Sequence, residues 1–355
     1  MLPLQKTNII ISDQLNRLKA ARAYKAITLS SNTWNTGAIA TAGDYYNSFT
    51  YDANGNIITQ QRNGIASVAQ VEDNLAYNYK LRANGNITSH RTNQLKQVAE
   101  DASLLNCSYS DDINKNQDAN NYVYDGIGNL IEDKQEYITE IAWTSFGKIK
   151  TITKSNNNTT LPKYVDCNGN SVRDAGEPLL VLQDLEFKYN SDWKRICKIV
   201  KPHNPAGGVL ASTEWIYTYY LRDAPGNVLE TYERKQVATV NQFNLKEQDL
   251  YGSARLGMIQ KTLNLLTAGV PGNAIVRTVG NKTYEMSNHL GNVLTTFSDR
   301  RTAVDANADG TVDWFKPVII SASDYAAFGA TIPVDLTVPV RIGTGLTVRK
   351  MIRRV

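Results

Sequence analysis

Two stretches of the chain carry oxygen-bearing side chains at the spacing of a calcium loop. In the first, Asp166, Asn168, Asn170, Asp174 and Glu177 fall at loop positions 1, 3, 5, 9 and 12, and Val172 stands at position 7, where a backbone carbonyl serves. Position 6, usually glycine, is Ser171. In the second, Asp305, Asn307, Asp309 and Asp313 fall at positions 1, 3, 5 and 9, with Gly310 at position 6. Position 12 is Lys316, so the bidentate carboxylate is missing and the expected affinity is weak. Neither stretch is flanked by amphipathic helices, which separates both from an EF-hand. The same spacing also describes an Asp/Asn-rich surface turn. Calcium is the one cofactor the residues point to, and on this reading the first loop binds it and stiffens a long hairpin.

Nucleophile and cofactor chemistry find little support. The chain has no G-x-S-x-G elbow, Walker A loop, H-E-x-x-H pair or G-x-G-x-x-G turn. Glu132, Asp133 and Glu136 cluster, but acids on a strand surface are ordinarily solvated. His90, His203 and His289 are scattered and read as structural or exposed. Cys107, Cys167 and Cys197 are odd in number and irregularly spaced, against both a zinc ribbon and a disulfide framework. Trp34, Trp143, Trp193, Trp215 and Trp314 could stack on sugars, although such scattered spacing suits a sheet core better. No residue is assigned a catalytic role, and the expectation is a protein that is not an enzyme.

The elements that must position these residues read as strands and turns. Tyr numbers 19 against 7 Phe, Asn 35 and Gly 23, a pairing of strand formers with turn formers that favours an all-β chain. At 355 residues with 42% hydrophobic and 20% charged, the chain is not wholly disordered. The net charge of +4 resides in residues 331–355, where Arg341, Arg349, Lys350, Arg353 and Arg354 face one acid, Asp335. The body is neutral, so nucleic acid is not an expected partner. No run of 18 apolar residues exists, which excludes a transmembrane helix, and no signal peptide is visible.

Within this composition a short pattern repeats. Tyr51-Asp52-Ala53-Asn54-Gly55-Asn56-Ile57 returns as Tyr124-Asp125-Gly126-Ile127-Gly128-Asn129-Leu130. Looser copies lie near 79–87, 187–196 and 220–229, and another ends Ser287-Asn288-His289-Leu290-Gly291-Asn292-Val293-Leu294. In each, a strand ends on Tyr, a polar residue and a Gly-Asn pair turn the chain, and an apolar residue opens the next strand. Glycine supplies the left-handed backbone of the turn, and the Tyr ring is expected to lie on the neighbouring strand. Antiparallel hairpins of variable length should therefore join into one continuous twisted or spiralling sheet.

These residues resemble the YD-repeat, or RHS (rearrangement hotspot), family. The block Leu250-Tyr251-Gly252-Ser253-Ala254-Arg255-Leu256-Gly257-Met258, with Tyr284 through Leu294, resembles the start of the RHS-associated core in Bacteroidetes-type sequences. Asp13-Gln14-Leu15-Asn16-Arg17-Leu18 resembles the linker before a YD repeat. The resemblance implies a repeat region over residues 1–235, a partial core over 236–332, a non-family tail over 333–355, and truncation at both ends. It also implies a secreted or surface polymorphic toxin shell, here lacking the autoprotease and toxin parts, whose full version encloses a C-terminal effector. The alternative is an extracellular adhesion protein that binds carbohydrate or a partner cell, with a cell-surface glycan as ligand.

The tail has a further reading. Ala322-Ser323-Asp324-Tyr325-Ala326-Ala327-Phe328-Gly329-Ala330 resembles a family segment ordinarily followed by Pro-Gly-Arg and then Tyr-Arg-Tyr-Gly-Phe-Asn-Gly-Lys-Glu. With permitted third bases, reading one frame over from Ile332 converts the tail into PGRSYSPGPYRYGFNGKEND. A frameshift near residues 331–333 is the expectation, and the tail it produces should be disordered.

Overall fold

The computed structural model describes residues 6–25, 27–28, 33–34, 46–63, 71, 73–82, 91–101, 117–155, 164, 172, 182–204, 207–267, 278–325, 327–329 and 331–332. Strands follow one another along this chain, and no α-helix occurs among the described residues. None of their helical turns is long and apolar enough to cross a membrane. The first strands are β1 (Lys6–Ser12), β2 (Leu18–Lys25), β3 (Ile27–Thr28), β4 (Thr33–Trp34), β5 (Asn47–Tyr51), β6 (Ile57–Arg62), β7 (Asp73–Leu81) and β8 (Arg91–Glu100). Six of them form an antiparallel sheet in the order β1-β2-β5-β6-β7-β8, while β3 and β4 pair alone.

A 13-stranded sheet takes the rest. It runs through β9 (Tyr122–Tyr124), β10 (Leu130–Asp133), β11 (Ile138–Trp143), β12 (Ile149–Lys154), β13 (Gln183–Tyr189), β14 (Arg195–Pro202) and β15 (Ile216–Arg222). It continues through β16 (Val228–Val237), β17 (Val240–Tyr251), β18 (Arg255–Asn264), β19 (Lys282–Ser287), β20 (Val293–Val304) and β21 (Trp314–Ala322). Every neighbour in space is the neighbour in sequence, so the sheet is an uninterrupted meander. It crosses residues 235 and 236 inside β16. A last pair, β22 (Asp324–Tyr325) with β23 (Thr331–Ile332), follows β21. Residues 333–355 lie outside the described residues.

The hairpins turn through one recurring five-residue loop. At Asp52 the backbone N–H bonds the Asn56 carbonyl at 3.0 Å and the Gly55 N–H bonds the Asp52 carbonyl at 3.1 Å. The Asp52 carboxylate accepts the Asn56 N–H at 2.9 Å and its side-chain amide at 3.0 Å. The same pattern starts at Asp13, Asp125, Asn190, Asp223 and Asn288, and Thr144 serves with its hydroxyl. The fourth residue of each loop needs a left-handed backbone, which glycine adopts freely: Gly128 has φ of +96° and Gly226 +97°. Asn16 and Trp193 fill the slot at +59° and +61°. Asn tolerates this; Trp193 is held by its contact with Phe146, ring centroids 3.8 Å apart.

The two sheets meet without a ladder. Gln117 stands between β8 and β9, its side-chain carbonyl accepting the Val98 N–H at 2.6 Å and its backbone carbonyl accepting the Gln97 amide at 2.8 Å. Among the described residues no backbone ladder joins the two sheets, and Gln117 bonds the β8 edge through one side-chain and one backbone carbonyl. Only twelve apolar side chains are buried among the described residues, among them Phe49, Leu75, Ile141, Phe187, Ile199 and Leu245. The described strands are arranged as many-stranded antiparallel sheets. The sheets leave Trp193 and Trp314 half exposed, at 51% and 48%, against the expectation that the tryptophans fill a core.

The loop geometry makes a prediction. Gly128→Ala places a Cβ in a left-handed backbone and should lower the opening free energy of the β9–β10 hairpin by about 1 kcal/mol. Gly126→Ala, in open space at an ordinary φ, should leave it unchanged. Amide hydrogen exchange of residues 122–133 reads both; equal effects from the two substitutions would contradict the assignment.

Candidate functional site

The repeated Tyr does something the sequence pattern did not show. Its phenol reaches across to the previous hairpin and donates to the carbonyl of the residue that opens that hairpin's second strand. Tyr51 bonds Leu18 at 2.7 Å, Tyr79 bonds Ile57 at 3.0 Å, Tyr189 bonds Ile149 at 2.7 Å and Tyr251 bonds Val228 at 3.0 Å. Tyr325 does the same to Val293 at 2.8 Å. Where Tyr is absent, another donor takes the slot: the indole N–H of Trp143 bonds Leu130 at 2.8 Å, and Arg222 Nε bonds Arg195 at 2.9 Å.

These seven clamps have one logic. Just after a turn the sheet register slips by one residue, as between Thr50 and Tyr51 or between Leu221 and Arg222. The slip disturbs regular pairing beside the turn. The clamp gives the first carbonyl of the outgoing strand a donor from the incoming strand of the next hairpin. It also explains why Tyr and Asp adjoin: Asp shapes its own turn while Tyr, one residue earlier, ties that hairpin to its predecessor. Arg17 adds a further tie at the first two turns, donating to the Asp52 carbonyl at 3.0 Å and lying 4.9 Å over the Tyr51 ring.

The turn acids are tuned by the same bonds. At Asp223 the Asn227 side-chain amide, together with backbone N–H groups of Asn227 and Gly226, holds the carboxyl below the ordinary range against some desolvation. At Asp52 and Asp125 desolvation opposes the shift, and the amides of Asn56 and Asn129 outweigh it. Asp133 moves the other way: burial raises it, despite the Asn121 amide donating at 2.8 Å. Asn121 is fully buried and also accepts the Gln135 N–H at 2.7 Å, so Asp133 and Asn121 brace the β10–β11 turn. Glu136 is turned outward to Lys154 at 3.3 Å, and Glu132 is half-buried on β10. The three acids therefore do not converge on one point as a catalytic pair must.

The histidines and aromatic residues also find structural settings. His203 is buried against Asp184, Nε2 to Oδ1 2.9 Å, whereas His289 is exposed in a turn. Tyr217, Tyr219, Phe243 and Tyr232 form a strip across β15, β16 and β17, with successive centroids 6.3, 6.2 and 5.4 Å apart. Arg234 lies 5.4 Å over Tyr217 at one end. The rings of this strip pack on one another.

Of the metal-loop residues, Asp166, Asn168, Asn170, Asp174 and Glu177 lie outside the described residues, and Val172 is exposed. The second loop is the tip of the β20–β21 hairpin, which does bring Asp305, Asn307, Asp309 and Asp313 together. The Asp305 carboxylate accepts the N–H groups of Asp309 at 3.2 Å and Gly310 at 2.8 Å, and Asp313 accepts that of Ala306 at 2.7 Å. Gly310 has φ of +85°, the sharp turn that position 6 demands. The N–H of Thr311 and the Asn307 amide hold Asp309 below the ordinary carboxylate range. Among the described residues no group of three or more His, Cys, Asp or Glu is gathered closely enough to hold a metal.

Two outcomes follow. Because the turn acids titrate below their ordinary value in the folded state, their stabilisation is present above about pH 4 and lost as pH falls through the folded values. Asp125 should thus lose its contribution to the β9–β10 hairpin as pH falls below about 4. Asp133, raised by burial, acts with the opposite sign in wild type and in Asp125→Asn alike, the latter carrying the residue type found at the equivalent Asn190 and Asn288. The difference in hairpin opening between the two proteins should therefore shrink on acidification. An unchanged difference would count against the turn chemistry. Separately, Tyr189→Phe leaves the Ile149 carbonyl without its clamp and should cost about 1 kcal/mol in local opening of β12 and β13, read by amide exchange; no local change would refute the clamp.

Comparison with known proteins places the chain as follows. No protein-family profile matches it, and no curated protein sequence matches it. Solved structures do. A crystal structure of TcdB2–TccC3 without its hypervariable C-terminal region aligns over 92% of this chain and 13% of its own, at 12% identity and a TM-score of 0.37. A Photorhabdus luminescens Tc holotoxin pore aligns over 91% of this chain and 14% of its own, at 14% identity and a TM-score of 0.31. A further TcdB2–TccC3 crystal structure aligns over 91% and 15%, at 12% identity and a TM-score of 0.30. The chain thus spans well under a fifth of the length of the structures it resembles.

Proposed function

We propose that the chain is a wall segment of an RHS-type β-shell, a non-enzymatic scaffold whose longer form encloses a C-terminal effector and acts outside the cell. The observation that carries this reading is the clamp. The same donor-to-carbonyl bond recurs from Tyr51 to Tyr325, in both large sheets, so the molecule is organised as a repeated wall. Its polar side chains serve turns and hairpin junctions.

The tail fits the same proposal. A frameshift near Ile332 replaces the strands that would continue from β21 with residues 333–355, whose sequence carries the whole net charge. Sequencing the gene tests this part: the neighbouring frame should encode Tyr-Arg-Tyr-Gly-Phe-Asn-Gly-Lys, and any other sequence there ends the frameshift account. Restoring that frame, expressing the longer protein and imaging it by electron microscopy tests the shell. A hollow particle bounded by a one-sheet wall supports it, whereas a solid two-layer sandwich contradicts it.

Calcium is proposed for the first loop, Asp166 to Glu177, where it would stiffen a long hairpin. Titration calorimetry should show calcium binding that Asp166→Ala abolishes, and no binding would remove calcium from the account.

A further inference from the structure

The chain after β21 returns to the sheet that begins the chain. Phe328, in the short turn Ala327–Gly329 between β22 and β23, meets Phe49 of β5 edge-to-face with ring centroids 5.1 Å apart. These residues belong to the last segment described and to the six-stranded sheet that begins the chain. Phe49 is 2% exposed, and across the register it aligns with Gln60 and then Leu75, itself 4% exposed. Phe328, by contrast, remains 71% exposed. It is a cover laid on that face, and little of its own surface is buried.

Three features hold the cover in place. Ser323 donates its N–H to the Leu294 carbonyl at 2.8 Å, and Tyr325 clamps Val293, so the segment starts fixed to the β20 end of the large sheet. The β22–β23 ladder, Asp324 opposite Ile332 and Tyr325 opposite Thr331, closes a small loop that projects Phe328. Phe328 itself has φ of +62° and ψ of 18°, a left-handed conformation that is unfavourable for a bulky residue. Such a conformation persists where surrounding contacts demand it, and the Phe49 ring is the contact available.

We propose that β22, the turn Ala327–Gly329 and β23 form a strap that ties the end of the meander to the six-stranded sheet, with Phe328 as its latch on Phe49. Beside β8 and β9 the six-stranded sheet is joined to the large one by the Gln117 bonds and by the Lys80 ammonium 5.1 Å over the Tyr124 ring, and the strap adds a tie from the far end of the meander. The strap would work as a catch: with the latch seated the six-stranded sheet is coupled to the end of the meander, and with it lifted that coupling is lost. This goes beyond the shell reading and does not depend on whether the wall encloses an effector.

Hydrogen exchange on the full chain tests it. Phe328→Ala should speed exchange of the β5 amides, Asn47–Tyr51, by roughly 2- to 10-fold, the loss of one edge-to-face ring contact. Phe328→Tyr should restore them, and amides of β15 and β16 should not change in either variant. Unchanged β5 amides in Phe328→Ala, or an equal acceleration in β5 and β16, would overturn the latch. A photoreactive phenylalanine analogue at position 328 gives a second reading that needs no loss of packing. Cross-links to the peptide containing Phe49 support the strap; cross-links that fall only elsewhere exclude it.

Discussion

The fold depends on how one hairpin is joined to the next. A hairpin can close itself with a turn, but a two-stranded ribbon is only marginally stable in water and must find neighbours. In this chain seven junctions are made by a donor near the end of the incoming strand, which reaches the first carbonyl beyond the previous turn. Without that bond the carbonyl beside the register slip would depend on solvent, and the turn edge of the sheet would fray. With it, each added hairpin is tied to its predecessor by the residue that begins its own turn. The unit is therefore extensible, and a wall of nineteen paired strands results from repetition of a local rule.

The rule tolerates substitution because it asks for a donor of the right reach and not for a particular ring. Tyr, Trp143 and Arg222 all satisfy it, as Asp, Asn190 and Thr144 all satisfy the turn. Trp193 in a left-handed slot shows how far the rule bends when a neighbour such as Phe146 compensates. Polar geometry at the turn edge thus carries a share of the specification alongside the apolar side chains buried among the described residues. The exposed Trp314 and Phe315 on β21, at 48% and 55%, mark where the large sheet stops without cover.

Much of this was legible in the residues. The all-β class, the antiparallel meander and the turns at Asp52, Asp125, Asn190, Asp223 and Asn288 follow from Tyr, Gly and Asn spacing, because turn chemistry is local. The turn at Thr144 escaped, since Thr-Ser-Phe-Gly-Lys shares only its glycine with the pattern. The clamp was not legible. Tyr189 and Ile149 are 40 residues apart, and nothing in either segment names the other. Trp143 and Arg222 were hidden because what recurs across these hairpins is a donor of the right reach and not a residue type. The Phe49–Phe328 contact joins the two ends of the chain and could come only from the curvature of the whole. The second metal-loop spacing does correspond to a folded hairpin tip, whereas its acids are occupied by backbone N–H groups.

The central claim is that a donor-to-carbonyl clamp, repeated at seven hairpin junctions, builds the wall. A crystallographic map of the chain that resolves side chains tests it directly. The account predicts that Tyr51, Tyr79, Trp143, Tyr189, Arg222 and Tyr251 each lie within hydrogen-bond distance of the carbonyls of Leu18, Ile57, Leu130, Ile149, Arg195 and Val228. Rings lying flat on the neighbouring strand, with those carbonyls bonded to water, would contradict it.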